Sequence, residues 1–384
     1  MKILLITDFF PTGKDLRFSG GVEARTFFVA KELAKRNDVF IISARLPQTR
    51  AKEKIFGFTV YRPGPIINYN SGAPTVFDLH KRLSFIFSAI SLGKRISIDI
   101  VDGGNFSDHF IAKMISNSKK IPVVFWYPDV FLGQWVETSG FLGGLAGYLL
   151  EKINLFFSAD LFIAISKVTM NKLIASGVDK AKVVTIACGV EPNEFKQKAE
   201  KSKIPQIICI SRLVAYKRIK DLIFAMALIE RAVKKIRLVI IGTGPQKKEL
   251  INLAKELKLL NKITFLENLS RQSLIKKIQE SHIFALPSAV EGFGIATIES
   301  AAAGVPYVVS DIPVFKEVTK NGKGGLLFNL GSPTDLAAQI KRLLQDDTFY
   351  KKKAGDAKEL VRSYNWAKIA VETEKIYKSL INKK

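Results

Sequence analysis

The sequence predicts an α/β protein made of two doubly wound domains, each a parallel sheet covered by helices on both faces. Three observations carry this. Short apolar runs that end in turn residues alternate with segments of helical period, the pattern of parallel strands joined by crossover helices. The alternation breaks once, in the charged, aperiodic stretch from Cys188 to Pro205, which reads as an inter-domain linker, and restarts at Gln206. At 384 residues the chain also exceeds the size at which one core stops growing, and an apolar fraction of 47% is ample for two. The expected domains are residues 1–195 and 196–365, with a closing segment 366–384.

The opening MKILLITDFFP has too short an apolar run for a signal peptide and reads as a first strand, Lys2–Thr7. A long loop follows to Gly20 and Gly21, which sit at the start of a helix expected from Val22 to Arg36; a helix start of this kind lets backbone approach a phosphate or an acceptor. Strands are then expected at Val39–Ser43, Thr59–Arg62, Ile98–Val101, Val123–Phe125, Leu161–Ala164 and Val183–Ile186. In such sheets ligands bind beyond the carboxyl ends of the strands. That rule marks Asp8–Gly21, Asp102–His109, Trp126–Phe131 and Ser166–Lys167. His109, beside Asp102 and Asp108 on a helical stretch, reads as structural before functional.

The second set of strands is expected at Ile207–Ile210, Leu238–Ile241, Ile263–Phe265, Ile283–Leu286, Tyr307–Val309 and Gly325–Phe328. The first leads into SRLVAYKRIKDLI, which places Arg212 and Lys217 in a strand-to-helix connection where cations reach a bound anion. IIGTGP, Ile240–Pro245, is a second exit, in which Gly242 and Gly244 lower the steric bulk. It lacks the third glycine of a dinucleotide fingerprint.

The most informative stretch is SAVEGFGIATIESAAAGVPYVV, Ser288–Val309. A buried strand ends at Pro287 and Ser288, Gly292 and Gly294 allow a tight turn, and Ile295–Ala303 forms a helix stopped by Gly304 and Pro306. The free amides of that helix's first turn make a seat for phosphate. Glu291 and Glu299 bracket that seat, and carboxylates so placed suit the hydroxyls of a sugar or ribose.

The formal net charge is +24, with +8 on residues 1–200 and +16 on 201–384. Such an excess attracts polyanions of any class. A nucleic-acid binder would need a basic stripe interleaved with exposed aromatics or a reading motif, and neither is present. Walker, zincin, nucleophile-elbow and CxxC patterns are absent, and Cys188 and Cys209 have no metal-ligand spacing. No apolar run is long enough to cross a bilayer. The segments LHKRLSFIFSAISLGKR and SGFLGGLAGYLLEK raise docking on an anionic membrane surface, although the stripe Phe141–Lys152 reads first as core helix.

Several of these motifs fall in one familiar order: GGVE (Gly20–Glu23), ISK (Ile165–Lys167), GVEPNEF (Gly189–Phe195), SRL with Lys217, GTGP, and the paired glutamates of EGFGIATIE. The chain thereby resembles the retaining glycosyltransferases of family 4, with the GT-B fold of two Rossmann-like domains facing a cleft. The closing SYNWAKIAVETEKIY, with Trp366 and Tyr377, is similar to the helix that crosses back to the first domain. The resemblance implies a nucleotide-sugar donor, UDP-, GDP- or ADP-linked, on the C-terminal domain, and a glycan or lipid-linked acceptor on the N-terminal one. Arg212 and Lys217 would clamp the diphosphate, Glu299 would take the ribose and Glu291 the transferred hexose, the amides around Phe293, Gly294 and Ile295 would contact the sugar or phosphates, and Gly21 would let the first loop close. No metal or other cofactor is expected, nor nucleic acid as partner, and the place of work is cytoplasmic, including the inner membrane face. A sugar-nucleotide epimerase of the same fold is the alternative, and a basic nucleic-acid-binding protein stands behind it. Two departures stand out: FWYPDVF replaces a family histidine, which makes Asp129 the substitute candidate, and Glu267 stands where a glycine is common, near the expected base contacts.

Overall fold

A computed structural model of the chain describes residues 1–11, 16–18, 20–67, 76–133, 135–157, 159–233 and 235–383, without the side chains of 76–78 and 136–142. Part of the loop between Thr7 and Gly21 thus lies outside the described residues. The chain forms two compact units, residues 1–188 with 366–384, and residues 189–365.

The first unit carries strands β1 (Lys2–Thr7), β2 (Asp38–Ser43), β3 (Lys52–Ile55), β4 (Phe58–Tyr61), β5 (Ile100–Gly103), β6 (Val123–Tyr127), β7 (Leu161–Ala164) and β8 (Val183–Thr185). They pair in the order β3-β4-β2-β1-β5-β6-β7-β8, parallel except for β3 against β4. The parallel strands are β-branched and aromatic runs buried on both faces, as a helix-covered sheet requires: Ile3, Leu4, Leu5 and Ile6 in β1 and all of β6 are sealed from solvent. β3 is the strand that sequence reading omits. Its KEKI is too charged to read as a buried run, but Phe56 and Gly57 both take positive φ, +47° and +90°, and make the tight turn that folds it back on β4. The first helix covers Gly21–Leu33, three residues short of the expected end.

The closing helix Trp366–Ile381 belongs to this unit and is held there by buried groups. Trp366 stacks on Phe28 with centroids 5.4 Å apart. The Tyr377 hydroxyl donates to Asp102 Oδ2, which also accepts from Arg25 Nη2 at 2.9 Å, and the guanidinium lies 4.9 Å from the Trp126 ring. Glu374 takes Arg36 at 2.8 Å and Asn37 at 3.3 Å.

The second unit carries β9 (Gln206–Ile210), β10 (Arg237–Ile241), β11 (Ile263–Leu266), β12 (Ile283–Leu286), β13 (Tyr307–Ser310) and β14 (Gly325–Phe328), all parallel, in the order β11-β10-β9-β12-β13-β14. The order reverses between β9 and β12, so the switch point of this sheet lies beyond their carboxyl ends. The stretch after Cys188, expected as a linker to Pro205, is packed structure of this unit. Ser202 N–H bonds Glu280 O at 2.9 Å, and Gln279 donates to the carbonyls of Phe195 and Gln197 at 3.3 and 2.7 Å. Charge without periodicity therefore marks a surface segment fastened by hydrogen bonds, not a free tether.

Candidate active site

At the switch point of the second unit three post-strand loops are sewn together by backbone hydrogen bonds. Leu213 N–H donates to Thr243 O at 2.8 Å, Gln246 N–H to Leu213 O at 3.0 Å, and Ala289 N–H to Tyr216 O at 2.8 Å. Gly242 and Gly244 make this possible. A Cβ on Gly242 would fall 1.8 Å from Ser211 O, and one on Gly244 2.4 Å from Leu213 O, so each glycine is required by the neighbouring loop's backbone.

The loop after β9 tightens into a short 3₁₀ turn, Ala215–Lys217, and sends Lys217 toward the loop after β12. Lys217 Nζ bonds the Glu291 carboxylate and reaches Val290 O at 3.3 Å; Ser288 Oγ donates to the same Glu291 oxygen at 3.4 Å. The two site charges named from the sequence thus hold each other, on side chains 9% and 14% exposed. Arg212 is exposed, donates to the Tyr216 hydroxyl, and pairs with no carboxylate among the described residues. Beneath them burial pushes the Cys209 thiol up to about 12, which keeps it protonated and inert.

The helix Ile295–Ala302 starts from Gly294, whose φ of +81° is left-handed and whose Cβ would lie 2.6 Å from the Phe315 ring. Among the described residues the backbone N–H groups from Gly292 to Ala296 have no acceptor, while Thr297 N–H turns back to Gly294 O at 2.9 Å. The Phe293 side chain is buried edge-on to Tyr364, centroids 5.5 Å apart, so this residue offers its backbone to the seat. The Thr297 hydroxyl, in the same turn, is buried without a hydrogen-bond partner.

Glu299 lies one turn further on and is not a lone carboxylate. Its Oε1 accepts from Arg271, whose guanidinium also forks onto Glu194, Nη2 to Oε2 at 2.8 Å. Burial drives the Glu299 carboxyl up from its ordinary value, and Arg271 opposes the rise. Sequence reading missed Arg271 altogether, since nothing in RQSLIKK separates it from surface charge; Glu194 lay within a quoted motif without a role. Glu267, in the expected base region, is an exposed partner of Lys247 at 2.9 Å.

In the first unit Gly21 begins its helix on the surface. Asp129 follows β6; its Oδ1 accepts from Lys172 Nζ at 2.7 Å and from Val130 N–H at 2.8 Å. Next to it Glu151 is fully buried and accepts from Trp135 Nε1 at 2.7 Å and Phe131 N–H at 3.2 Å. Burial raises its carboxyl to about 7. His109 is sealed between the rings of Phe125 and Tyr127, each 4.6 Å away, and its Nε2 bonds Trp126 O at 2.9 Å. Burial lowers it to about 4, so it is a neutral core histidine. No group of three His, Cys, Asp or Glu among the described residues is placed to hold a metal ion.

The helix Trp135–Phe157 departs from the core reading of Phe141–Lys152. Leu145, Leu149, Ile153 and Phe156 recur at helical spacing and are exposed, Phe156 to 86%. Phe141 and Leu142 have no described side chains. No helix among the described residues is long and apolar enough to cross a membrane.

Comparison with known proteins adds to this geometry. The family model of Glycosyltransferase Family 4 matches residues 19–194, and that of Glycosyl transferases group 1 matches residues 190–360. An uncharacterized glycosyltransferase of Methanocaldococcus jannaschii is 26% identical over 98% of each chain. The N-acetyl-alpha-D-glucosaminyl L-malate synthase of Bacillus anthracis is 26% identical over 61% of this chain and 69% of its own. Among solved structures, a sucrose-phosphate synthase from Thermosynechococcus elongatus superposes with a TM-score of 0.84 at 18% identity over the whole of both chains. The Anabaena protein HepE, solved with UDP-glucose, gives 0.76 at 19% identity over 99% of this chain and all of its own. These likenesses show the GT-B type of fold, two α/β units with parallel sheets.

Proposed function

We propose, from the premise that this chain belongs to the group 1 glycosyltransferases of family 4, that it moves a hexose from a nucleotide-sugar to a glycan or lipid-linked acceptor with retention of configuration. The observation that carries the reading is the switch point of the second unit. There Arg212, the Lys217–Glu291 pair and the unbonded amides of Gly292–Ala296 converge beyond β9 and β12. Cations and amide dipoles fixed in one place match a diphosphate, and carboxylates matched to hydroxyls stand beside them. The UDP-glucose held by HepE, a structure of the same fold, supports a nucleotide-sugar as donor.

In the reaction the bond from the anomeric carbon to the diphosphate oxygen breaks and a bond to the acceptor oxygen forms on the same face. The acceptor's proton passes to the leaving phosphate oxygen. Charge grows on the diphosphate as the sugar becomes oxocarbenium-like, so Arg212, Lys217 and the amides stabilise the transition state more than the ground state. Glu291 is immobilised by Lys217 and Ser288, and its task is to accept hydrogen bonds from the sugar hydroxyls. No step calls for a metal. Asp129, held by Lys172, is assigned to the acceptor or the transferred sugar.

The test is turnover of UDP-, GDP- and ADP-hexoses with Arg212→Ala and Glu291→Ala. Each is expected to lower kcat/KM by about 100-fold, the usual scale for one transition-state contact; unchanged rates in both would reject the site. For the acceptor, the exposed stripe Leu145, Leu149, Ile153 and Phe156, with Lys152 beside Tyr148, supports docking on the anionic cytoplasmic leaflet. Co-sedimentation with phosphatidylserine vesicles checks this. Leu149→Glu with Phe156→Glu is expected to abolish binding, and absence of binding by the parent chain at low salt rejects it.

A further inference from the structure

We propose that Arg271 is a positioning residue for the nucleotide ribose, acting through Glu299, with Glu194 fixing the guanidinium in that task. The proposal rests on the donor reading above and adds to it two residues that carry no role there.

Arg271 opens the helix Arg271–Glu280, whose Ser270 cap accepts Ser273 N–H at 3.2 Å. Its backbone is therefore fixed before its side chain is considered. The guanidinium is 8% exposed and uses two edges. Nε and Nη2 address Glu194, at 3.2 to 3.3 Å and 2.8 Å, and Nη1 addresses Glu299 Oε1. Glu194 sits in the 3₁₀ turn Pro192–Phe195, and Phe195 is buried while its carbonyl accepts from Gln279 of the Arg271 helix. The arm that holds Arg271 is thus itself tied to the helix that carries Arg271.

One guanidinium between two carboxylates leaves a net negative charge at a largely buried site. Of the four carboxylate oxygens, Glu299 Oε2 has no hydrogen-bond partner among the described residues and is not among the buried atoms left unsatisfied, so it still meets solvent. An acceptor-only oxygen fixed in this way suits a group that donates and carries no charge, and the paired hydroxyls of a ribose are such a group. It also turns away phosphate. Arg271 does two things for Glu299: it fixes the rotamer through Oε1, and its positive charge favours the ionised carboxylate against the upward push of burial. A protonated Glu299 would offer a donor where the ribose needs an acceptor.

A plain structural tie between the turn and the helix would use the same contacts, so the test must read the ribose itself. Calorimetric titration with UDP, GDP and ADP, and with the 2′,3′-dideoxy form of whichever binds, separates the two. The parent is expected to bind the ribonucleotide about tenfold more tightly than the dideoxy form, the scale of a charge-assisted hydrogen bond. Arg271→Met is expected to lose that factor on the ribonucleotide and nothing on the dideoxy form, and to add no further loss to Glu299→Gln. Arg271→Lys should recover part of it. Should Arg271→Met fail to fold, Glu194→Gln, which leaves Arg271 on Glu299, is expected to show a smaller loss confined to the ribonucleotide. An equal loss on both nucleotides, or none on either, overturns the proposal and leaves the donor site standing. A parent chain that binds no nucleotide overturns the donor reading, and this proposal with it.

Discussion

Burial lifts the Glu151 carboxyl from 4.5 to about 7 and drops the His109 imidazole from 6.5 to about 4, and these two residues set opposite pH slopes. Between pH 4.5 and 7 the folded chain keeps the Glu151 proton while the unfolded chain has lost it. Stability from this group is present below 4.5 and falls as pH rises to 7, by on the order of 3 kcal/mol. His109 works the other way: the unfolded chain binds its proton first, so stability is lost as pH falls from 6.5 toward 4. Urea midpoints at pH 5 and 7.5 are expected to show Glu151→Gln flattening the first slope, and midpoints at pH 4.5 and 7 to show His109→Phe flattening the second. A Glu151→Gln slope equal to the parent's would mean that the carboxyl titrates normally. At this scale the sequence was uneven as a guide. The places of Glu291 and Gly294, after a strand and at a helix start, were legible because strand, glycine turn and helix lie next to one another in the chain. Arg271 was not, because its partners Glu194 and Glu299 are 77 and 28 positions away. Nor did periodicity reveal that Lys217 and Glu291, separated by 74 positions, would pair.

The helix Trp366–Ile381 reaches the first unit from the far end of the chain and closes part of its core. Trp366 lies flat on Phe28 and Tyr377 completes the buried Arg25–Asp102 pair, so two large rings and one charge network are lost together if the helix leaves. Trp366→Ala is expected to cost about 3 to 5 kcal/mol, the range for truncating a buried large aromatic. Thermal unfolding followed by near-ultraviolet circular dichroism measures it, and a loss under 1 kcal/mol would mean the contact is dispensable. Among elements, the parallel strands were legible within a residue or two, since a strand buried on both faces is an unbroken apolar run. β3 was hidden because an edge strand needs neither apolar faces nor length once a two-residue turn imposes its pairing. The helix Trp135–Phe157 misled in the other direction: its leucine stripe has the period of a core helix, and period alone does not say whether the stripe faces protein or solvent.

At the scale of the whole molecule, the chain enters and leaves the second unit at neighbouring points: Val190 N–H bonds Tyr364 O at 3.0 Å, and Val190 bridges to Asn365. The six strands of that unit all come from residues 189–365, so cutting at both points removes no strand and opens no ladder. Residues 189–365 alone are therefore expected to unfold in one cooperative transition and, on the proposed donor site, to match the whole chain in nucleotide affinity, because Arg212, Lys217, Glu291 and Glu299 all travel with them. The first unit is not contiguous, and residues 1–188 alone uncover Phe28, Arg25 and Asp102. That piece is expected to show no cooperative melt. Since residues 190 and 364 are hydrogen-bonded neighbours, a flexible linker of about six residues suffices to join residue 188 to residue 366. The joined piece, 1–188 with 366–384, is expected to recover a cooperative transition while binding no nucleotide. Recovery without the closing helix would show that the first core is complete before that helix arrives. Nucleotide binding by the joined piece would move the donor seat out of the second unit.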